Sequence, residues 1–399
     1  MKHCLAIHGG IPIREHYLPY GKQFIDEDDI QAVINVLKGD FITTGPMIKH
    51  FEEQVATYVG AKYAVAFSSG TAALHGACFA AGISDGDEVI TTPMTFVASA
   101  NCILYQGGVP VFADIKCDTY NIDPESIKDK ITTKTKAIIP VHFTGQPAEL
   151  DKILKIAQEY NLIIIEDAAH ALGATYKNKK IGSIGDMTMF SFHPVKHITT
   201  GEGGIITTND EEYYQKLLQF RTHGITRDLD KLIDNHGPWY YEMQFLGYNY
   251  RMTDIQAALG LSQLQKLDSF ISKRKKYVAL YHAELKELPE IILPKQLNHI
   301  DSSWHLYVIR LNLPMLKVNR KEIFQALQKE NIGVNVHYIP VHTQPFYRQM
   351  GYTLGICPHT ERIYEELITL PLYSGMTEKD AKDVIKAVKK VVNYYSKLK

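Results

Sequence analysis

Residues 162–173 read LIIIEDAAHALG, and residues 187–204 read MTMFSFHPVKHITTGEGG. Each opens as a short apolar run and breaks into a polar, glycine-containing turn. That is the pattern of a strand buried on both faces rather than of a helix. Working outward, the pattern recurs in KYAVAFSSG (62–70), DEVITTP (87–93), VPVFADI (109–115) and TKAIIPVHF (135–143). Helical stretches separate these runs. TAALHGACFAAG (71–82) is one, and ELDKILKIAQEYN (149–161) carries apolar residues at i, i+3, i+4 and i+7. The alternation predicts an α/β chain with a mainly parallel sheet and helices on both faces. In such sheets a ligand lies beyond the carboxyl ends of the strands. SSGTAAL, TPMTF, EDAAH and FHPVK all begin at strand ends, so topology brings them to one place.

After the helix expected over residues 253–285 the pattern changes. SSWHLYVIRL (302–311) reads as a strand, RKEIFQALQKENI (320–332) as a helix and GVNVHYIPVH (333–342) as a strand. The chain ends in a helix that Thr377 caps before Glu378. These elements describe a smaller α/β domain from about residue 266, following a large domain over 1–265.

The chain has 399 residues and a formal net charge of -1. That length suits two domains. The balanced charge, with no basic run, argues against nucleic acid as a partner. Five cysteines (Cys4, Cys78, Cys102, Cys117 and Cys357) are widely spaced and odd in number, with no CxxC pair. They read as reduced thiols, not as a disulfide framework or a zinc site. No apolar run approaches membrane-spanning length, and that of MKHCLAIHGG is too short for a signal peptide. A soluble cytoplasmic protein with no membrane partner is expected. Among seventeen histidines there is no HExxH cluster, and His337 and His342 stand five apart around a proline. No metal is expected. Neither GxGxxG nor GxxxxGK[ST] occurs, which removes the usual support for nucleotide-dependent hydride or phosphoryl transfer.

Asp167 and Lys196 carry the chemistry. A lysine after the dense run MFSFHPV is partly desolvated, which weakens its preference for the ammonium form and makes it nucleophilic. A carboxylate at a strand end can keep a pyridine nitrogen protonated. Singly, these are a surface lysine and a helix N-cap. Together they fit pyridoxal phosphate (PLP), whose aldehyde needs an amine and whose ring needs an acidic partner. Glu166 should point to the opposite face of its strand. In SSGTAAL, Gly70 permits a tight turn and a helix starts near Thr71. Free N–H groups and the helix dipole there suit a phosphate, with Ser69 and Thr71 adding hydroxyls. Ser191, five residues before Lys196, could add another donor. Phe96 is either a platform for the ring or a core phenylalanine. His170 sits beside the ring or bonds a backbone carbonyl.

In order, SSGTAAL, TPMTFVASAN, EDAAHALGATYKNKKIGSIGD, FSFHPVKHITTGEGG and LGYNYRMTDIQAALGLSQL resemble the DegT/StrS-type sugar-nucleotide aminotransferases. The resemblance runs from about Tyr20 to the C-terminus. It implies the PLP-dependent transferase fold type I, aspartate-aminotransferase-like, with a mainly parallel seven-stranded sheet in the large domain and a smaller C-terminal α/β domain. It makes Lys196 the Schiff-base lysine and proton shuttle, and Asp167 the partner of the pyridine nitrogen. Phe96 stacks on the ring, and His170 lies near it. Ser69, Gly70, Thr71 and Ser191 hold the phosphate. The family builds its site across a homodimer, so Asn249 should reach the neighbouring subunit's phosphate. Thr43, Thr44, Arg251, Tyr338 and His342 are placed on the substrate side. Some members carry histidine at the lysine position and are dehydratases. The GEGG register here puts Lys196, not His197, at that position, which favours the transaminase.

SFHPVKHITTGEGG, HGITRD, PWYYE, SSWHLY and GVNVHYIPVHTQPFY look more closely like the pseudaminic-acid branch. That branch implies amino transfer from L-glutamate to C4 of UDP-2-acetamido-2,6-dideoxy-β-L-arabino-hexos-4-ulose. The product is UDP-4-amino-4,6-dideoxy-N-acetyl-β-L-altrosamine, with pyridoxamine phosphate (PMP) as the alternate cofactor form. The rivals are an aminotransferase for another nucleotide-linked keto sugar, a PLP- or PMP-dependent sugar dehydratase, and a non-catalytic cofactor-binding regulator.

Overall fold

The computed structural model describes residues 4–398. Seven strands form the central sheet: β1 (Tyr63–Phe67), β2 (Glu88–Thr91), β3 (Val109–Phe112), β4 (Thr135–Ile139), β5 (Ile163–Asp167), β6 (Met187–Ser191) and β7 (Gly204–Thr208). Their order is β1-β7-β6-β5-β4-β2-β3. β7 runs antiparallel to both β1 and β6, and the remaining pairs are parallel. β1 to β6 are the runs read as strands in the sequence. β7 was not among them, because GIITT emerges directly from a glycine turn. Gly204 is required at that point. A Cβ there would lie 2.5 Å from the Ser69 carbonyl oxygen and 2.6 Å from Gly70 Cα. Its absence lets β7 press against the start of the helix that follows β1.

Helices cover both faces: α1 (Glu27–Leu37), α2 (Pro46–Val59), α3 (Gly70–Ala80), α4 (Ala98–Leu104), α5 (Leu150–Tyr160) and α6 (Asp254–Leu285). The period-two alternation of a strand is plain in β1. Ala64 and Ala66 pack with Phe51, Val55 and Leu267, on the side of α2 and α6. Val65 and Phe67 pack with Ala73, Leu74 and Cys78 of α3 on the other. α3 is buried nearly all round, which explains why its sequence is apolar without an obvious polar face. α5 buries only Leu150, Ile153, Ile156 and Ala157. Thr253 caps α6 through a reciprocal pair with Gln256.

The C-terminal unit has a three-stranded antiparallel sheet of β8 (Ile291–Ile292), β9 (Tyr307–Leu311) and β10 (Leu367–Leu370). Helices α7 (Arg320–Lys329), α8 (Pro358–Tyr364) and α9 (Glu378–Tyr395) accompany it. Thr377 caps α9. Leu5 and Leu18, from the start of the chain, join this unit's core beside Tyr307, Ile323 and Val388. Arg274 of α6 is buried and donates to the carbonyl oxygens of His305 (3.0 Å) and Leu372 (2.8 Å).

Two expected strands differ. In SSWHLYVIRL only Tyr307–Leu311 joins a sheet. Ser303 instead donates its amide to the Gly145 carbonyl (3.1 Å) and its hydroxyl to the His170 carbonyl (3.0 Å). GVNVHYIPVH is not a strand. Asn335 pairs with Thr369, and the chain then leaves the sheet and ends in a 3-10 turn over Val341–Thr343. Pro340 lacks the N–H a ladder needs. The His337 ring also bonds the Thr369 hydroxyl at 2.8 Å, and this carries the next residue toward the large domain. Among the described residues no helix is long and apolar enough to cross a membrane.

Candidate active site

A cavity of about 540 Å³ opens beyond the carboxyl ends of β1, β2, β5 and β6. It gathers residues that follow four strands: Ser69–Thr71 after β1, Phe96 after β2, Asp167 and His170 at the end of β5, and Ser191 to Lys196 from the end of β6. Tyr338 arrives from the irregular segment of the C-terminal unit.

Lys196 sits in the turn after β6, where its backbone amide donates to the His193 carbonyl at 2.9 Å. Its amine has no hydrogen-bond or ion-pair partner among the described residues. Burial pulls its pKa down from 10.5 to about 8, against the attraction of Asp167. Asp167 ends β5. Its amide donates to the Pro140 carbonyl (2.9 Å), and its carbonyl accepts from His142 (3.0 Å). One carboxylate oxygen accepts from the Ala169 amide at 3.1 Å and the other from the Ser99 hydroxyl at 2.6 Å. Burial raises its pKa, although Ser99, Ala169 and Lys196 all favour the anion. Glu166 faces the opposite side of β5. It accepts from the Gly185 amide (2.7 Å), the Thr188 hydroxyl (2.9 Å) and the His142 ring (2.7 Å). The other His142 nitrogen accepts from the Ala148 amide at 3.1 Å, so the proton lies on the nitrogen that meets Glu166.

At the start of α3 the Ser69 hydroxyl oxygen accepts from the Ala72 amide at 3.1 Å. The amides of Gly70 and Thr71 have no partner among the described residues. A Cβ on Gly70 would come 3.3 Å from the Ser191 hydroxyl oxygen, so that hydroxyl overlies the helix start. Two free amides, three nearby hydroxyls and a helix N-terminus suit a phosphate dianion. Phe96 is 58% exposed and tilted 6.3 Å from the Tyr338 ring, so it is no core phenylalanine. His170 is buried and neutral, its pKa held well below the usual value by burial and by the Lys196 charge. One ring nitrogen meets the Tyr338 hydroxyl at 3.1 Å and the other has no partner among the described residues. The donor set therefore fits PLP: an amine for the aldehyde, a carboxylate for the ring nitrogen, a flat apolar face and a phosphate cradle.

Other expected residues fall outside the cavity. Thr43 and Thr44 are exposed, with Thr43 bridged to Thr253. Asn249 is exposed and bridged to Thr222. Arg251 is half-buried, with no ion-pair partner among the described residues. For His342 the expectation of a substrate contact is corrected. It is fully buried, packs near Phe112 and bonds the Glu361 carboxylate at 2.9 Å. The cavity also contains Thr95, Ser99, Glu202, His305 and Asn335, which the sequence reading passed over. For Thr95 and Ser99 a signal was present: two hydroxyls four apart flanking Phe96 at a helix start.

The sequence profile of the DegT/DnrJ/EryC1/StrS aminotransferase family matches residues 23–389. SpsC of Bacillus subtilis, a spore coat polysaccharide biosynthesis protein, is 44% identical over 95% of this chain and 98% of its own. PseC of Helicobacter pylori, an aminotransferase involved in the biosynthesis of pseudoaminic acid, superposes with a TM-score of 0.89 at 33% identity, covering 96% of this chain and all of PseC (100%). Spr1654 of Streptococcus pneumoniae, in its PMP form, gives a TM-score of 0.89 at 34% identity, over 94% of this chain and 99% of its own.

Proposed function

The chain belongs to the DegT/DnrJ/EryC1/StrS aminotransferase family, and from that premise we propose that it moves an amino group from L-glutamate to C4 of a UDP-linked 4-keto-6-deoxy sugar. The enzyme is a PLP-dependent sugar-nucleotide aminotransferase of fold type I, with PMP as the second cofactor form. The specific acceptor proposed is UDP-2-acetamido-2,6-dideoxy-β-L-arabino-hexos-4-ulose, giving UDP-4-amino-4,6-dideoxy-N-acetyl-β-L-altrosamine for pseudaminic acid synthesis. The observation that carries the reaction class is the free Lys196 amine sharing one cavity with Asp167 and the start of α3. The choice of sugar rests on the motif run around Lys196 and on the likeness to PseC.

Bound here, PLP supplies an electron sink for the C–H bond that must break. Lys196 would hold it through its amine, and that amine would take the proton from the donor Cα. Asp167 would keep a positive charge on the ring nitrogen. Ser69, Gly70, Thr71 and Ser191 anchor the phosphate, Phe96 covers one ring face, and His170 with Tyr338 lines the wall. Thr43, Thr44, Arg251 and Asn249 act in a homodimer whose second copy brings Asn249 to the phosphate. The exposure of Asn249, and of Ile233 (86%), Trp239 (72%) and Leu246 (71%) in the same excursion, supports that assembly. The division into 1–265 and 266–399 falls inside α6.

One observation favours a second reading of the acceptor. The chain is more similar in sequence to SpsC than to PseC, so another nucleotide-linked keto sugar is the alternative. Incubation with glutamate and a panel of UDP- and dTDP-linked 4-keto sugars, read by mass spectrometry, decides between them. The amino-altrosamine product should dominate and 2-oxoglutarate should appear in equal amount. Preference for another sugar by tenfold or more, about 1.4 kcal/mol at the transition state, overturns the acceptor. Loss of water without 2-oxoglutarate overturns the transaminase. Sedimentation at micromolar concentration should give the dimer mass; a monomer removes the shared site.

A further inference from the structure

Beside Asp167, in the lining of the same cavity, lies a second, buried feature that none of the roles above uses. Thr95 and Ser99 stand four residues apart at the start of α4. Both are buried, Ser99 completely. The Thr95 and Ser99 hydroxyl oxygens are 2.7 Å apart, and Ser99 reaches the Asp167 carboxylate at 2.6 Å. The Thr95 hydroxyl has no other partner among the described residues.

The direction of this chain follows from proton counting. An ionised carboxylate only accepts, so the single Ser99 proton points at Asp167. Ser99 then offers a lone pair to Thr95, whose own proton fills it. The Phe96 carbonyl, 3.3 Å from the Ser99 hydroxyl, is the weaker competitor. We propose that Thr95 and Ser99 form a one-way hydroxyl relay that positions Asp167 and keeps it anionic opposite the cofactor's ring nitrogen. They are positioning residues, acting through Asp167 and not on the substrate. The inference rests on the reading of Asp167 as the cofactor's carboxylate.

Burial already makes Asp167 more basic than usual. Without the relay it becomes more basic still. The shared proton then moves from the ring nitrogen to the carboxylate, and a charged pair becomes a neutral one. Loss of the ring's positive charge makes the nearby Schiff-base nitrogen easier to protonate. The pH at which the bound cofactor changes colour should therefore rise. Aligned donors strengthen one another, so Thr95 should matter through Ser99 although it does not touch the carboxylate.

The test uses the full-length holoenzyme with Ser99→Ala, Thr95→Val, Thr95→Ser and, as reference, Asp167→Asn. PLP affinity is measured by absorbance titration of the stripped protein, and the colour midpoint by pH titration of the reloaded one. Ser99→Ala should weaken PLP binding about tenfold, the scale of one lost hydrogen bond to a charged group, and raise the midpoint. Thr95→Val, which keeps the shape but loses the hydroxyl, should move both in the same direction by less. Thr95→Ser should restore them. A merely structural role would lower the melting temperature and leave the midpoint in place. The relay is overturned if Ser99→Ala keeps the wild-type midpoint, or if Thr95→Val does so where Ser99→Ala does not fold. Wild-type affinity and midpoint in Asp167→Asn would instead overturn the assignment of the carboxylate itself.

Discussion

Lys196→Ala should lose at least about a thousandfold in kcat, the upper part of the range for removing a positioned proton-transfer group. It should also fail to hold PLP through borohydride reduction. The structure makes the lysine hard to replace. Its amine has no hydrogen-bond or ion-pair partner among the described residues, and its pKa is brought down to about 8. At pH 7 roughly a tenth of the amine is already the free base, against far less than a hundredth for an ordinary lysine. The same shift has a stability signature in the stripped protein. The folded-state pKa lies below the unfolded value of 10.5, so the unfolded chain binds more protons between about pH 8 and 10.5. Stability from this group therefore rises with pH across that window, and Lys196→Ala should lack the rise. Urea titrations of the two stripped proteins at pH 7 and pH 10 check it. Wild-type turnover in the variant, or a phosphopyridoxyl adduct on another lysine, would show that the wrong amine has been chosen.

What could be read in the sequence follows from which physical signals are local. β1 to β6 are continuous apolar runs ended by turns; helices separate the strands from β1 to β5, while a connection without a helix joins β5 to β6. The meeting of Ser69, Phe96, Asp167 and Lys196 at one cavity needs only the rule that parallel strands present their carboxyl ends together. β7 was hidden because its pairing with β1 and β6 is non-local and its start is the glycine that lets it touch α3. Residues 333–342 alternate like a strand, yet most of their backbone groups do not join the ladder. Tertiary contacts of His337 and Tyr338 override the pattern there. His342 was placed on the substrate side by the resemblance alone; its Glu361 partner lies nineteen residues on, in a helix the pattern could not dock. Thr43, Thr44, Asn249 and Arg251 differ again. Nothing within one chain brings them to the cavity, so their roles rest on the proposed homodimer.

Asp167→Asn should fold, bind PLP more weakly and lose about a hundredfold or more in kcat, the scale seen when a preorganised electrostatic contact is removed. The geometry shows why so small a change is felt. Each Asp167 oxygen already accepts one protein hydrogen bond, from Ala169 on one side and Ser99 on the other. An asparagine has a single acceptor oxygen, so its amide N–H₂ must face one of those donors. The Ala169 amide is fixed, whereas the Ser99 hydroxyl can turn toward the Phe96 carbonyl 3.3 Å away. The amide nitrogen therefore settles on the Ser99 side and the backbone stays satisfied, which preserves β5 and its neighbours. The cofactor's ring now meets a neutral group that cannot stabilise a protonated nitrogen. The loss should fall on kcat more than on the KM for glutamate, since Asp167 acts on the ring and does not touch the donor. Stopped-flow measurement of the glutamate half-reaction, alongside a thermal melt, separates that outcome from misfolding. An unchanged half-reaction rate in a folded variant would mean that the ring nitrogen is protonated by some other group.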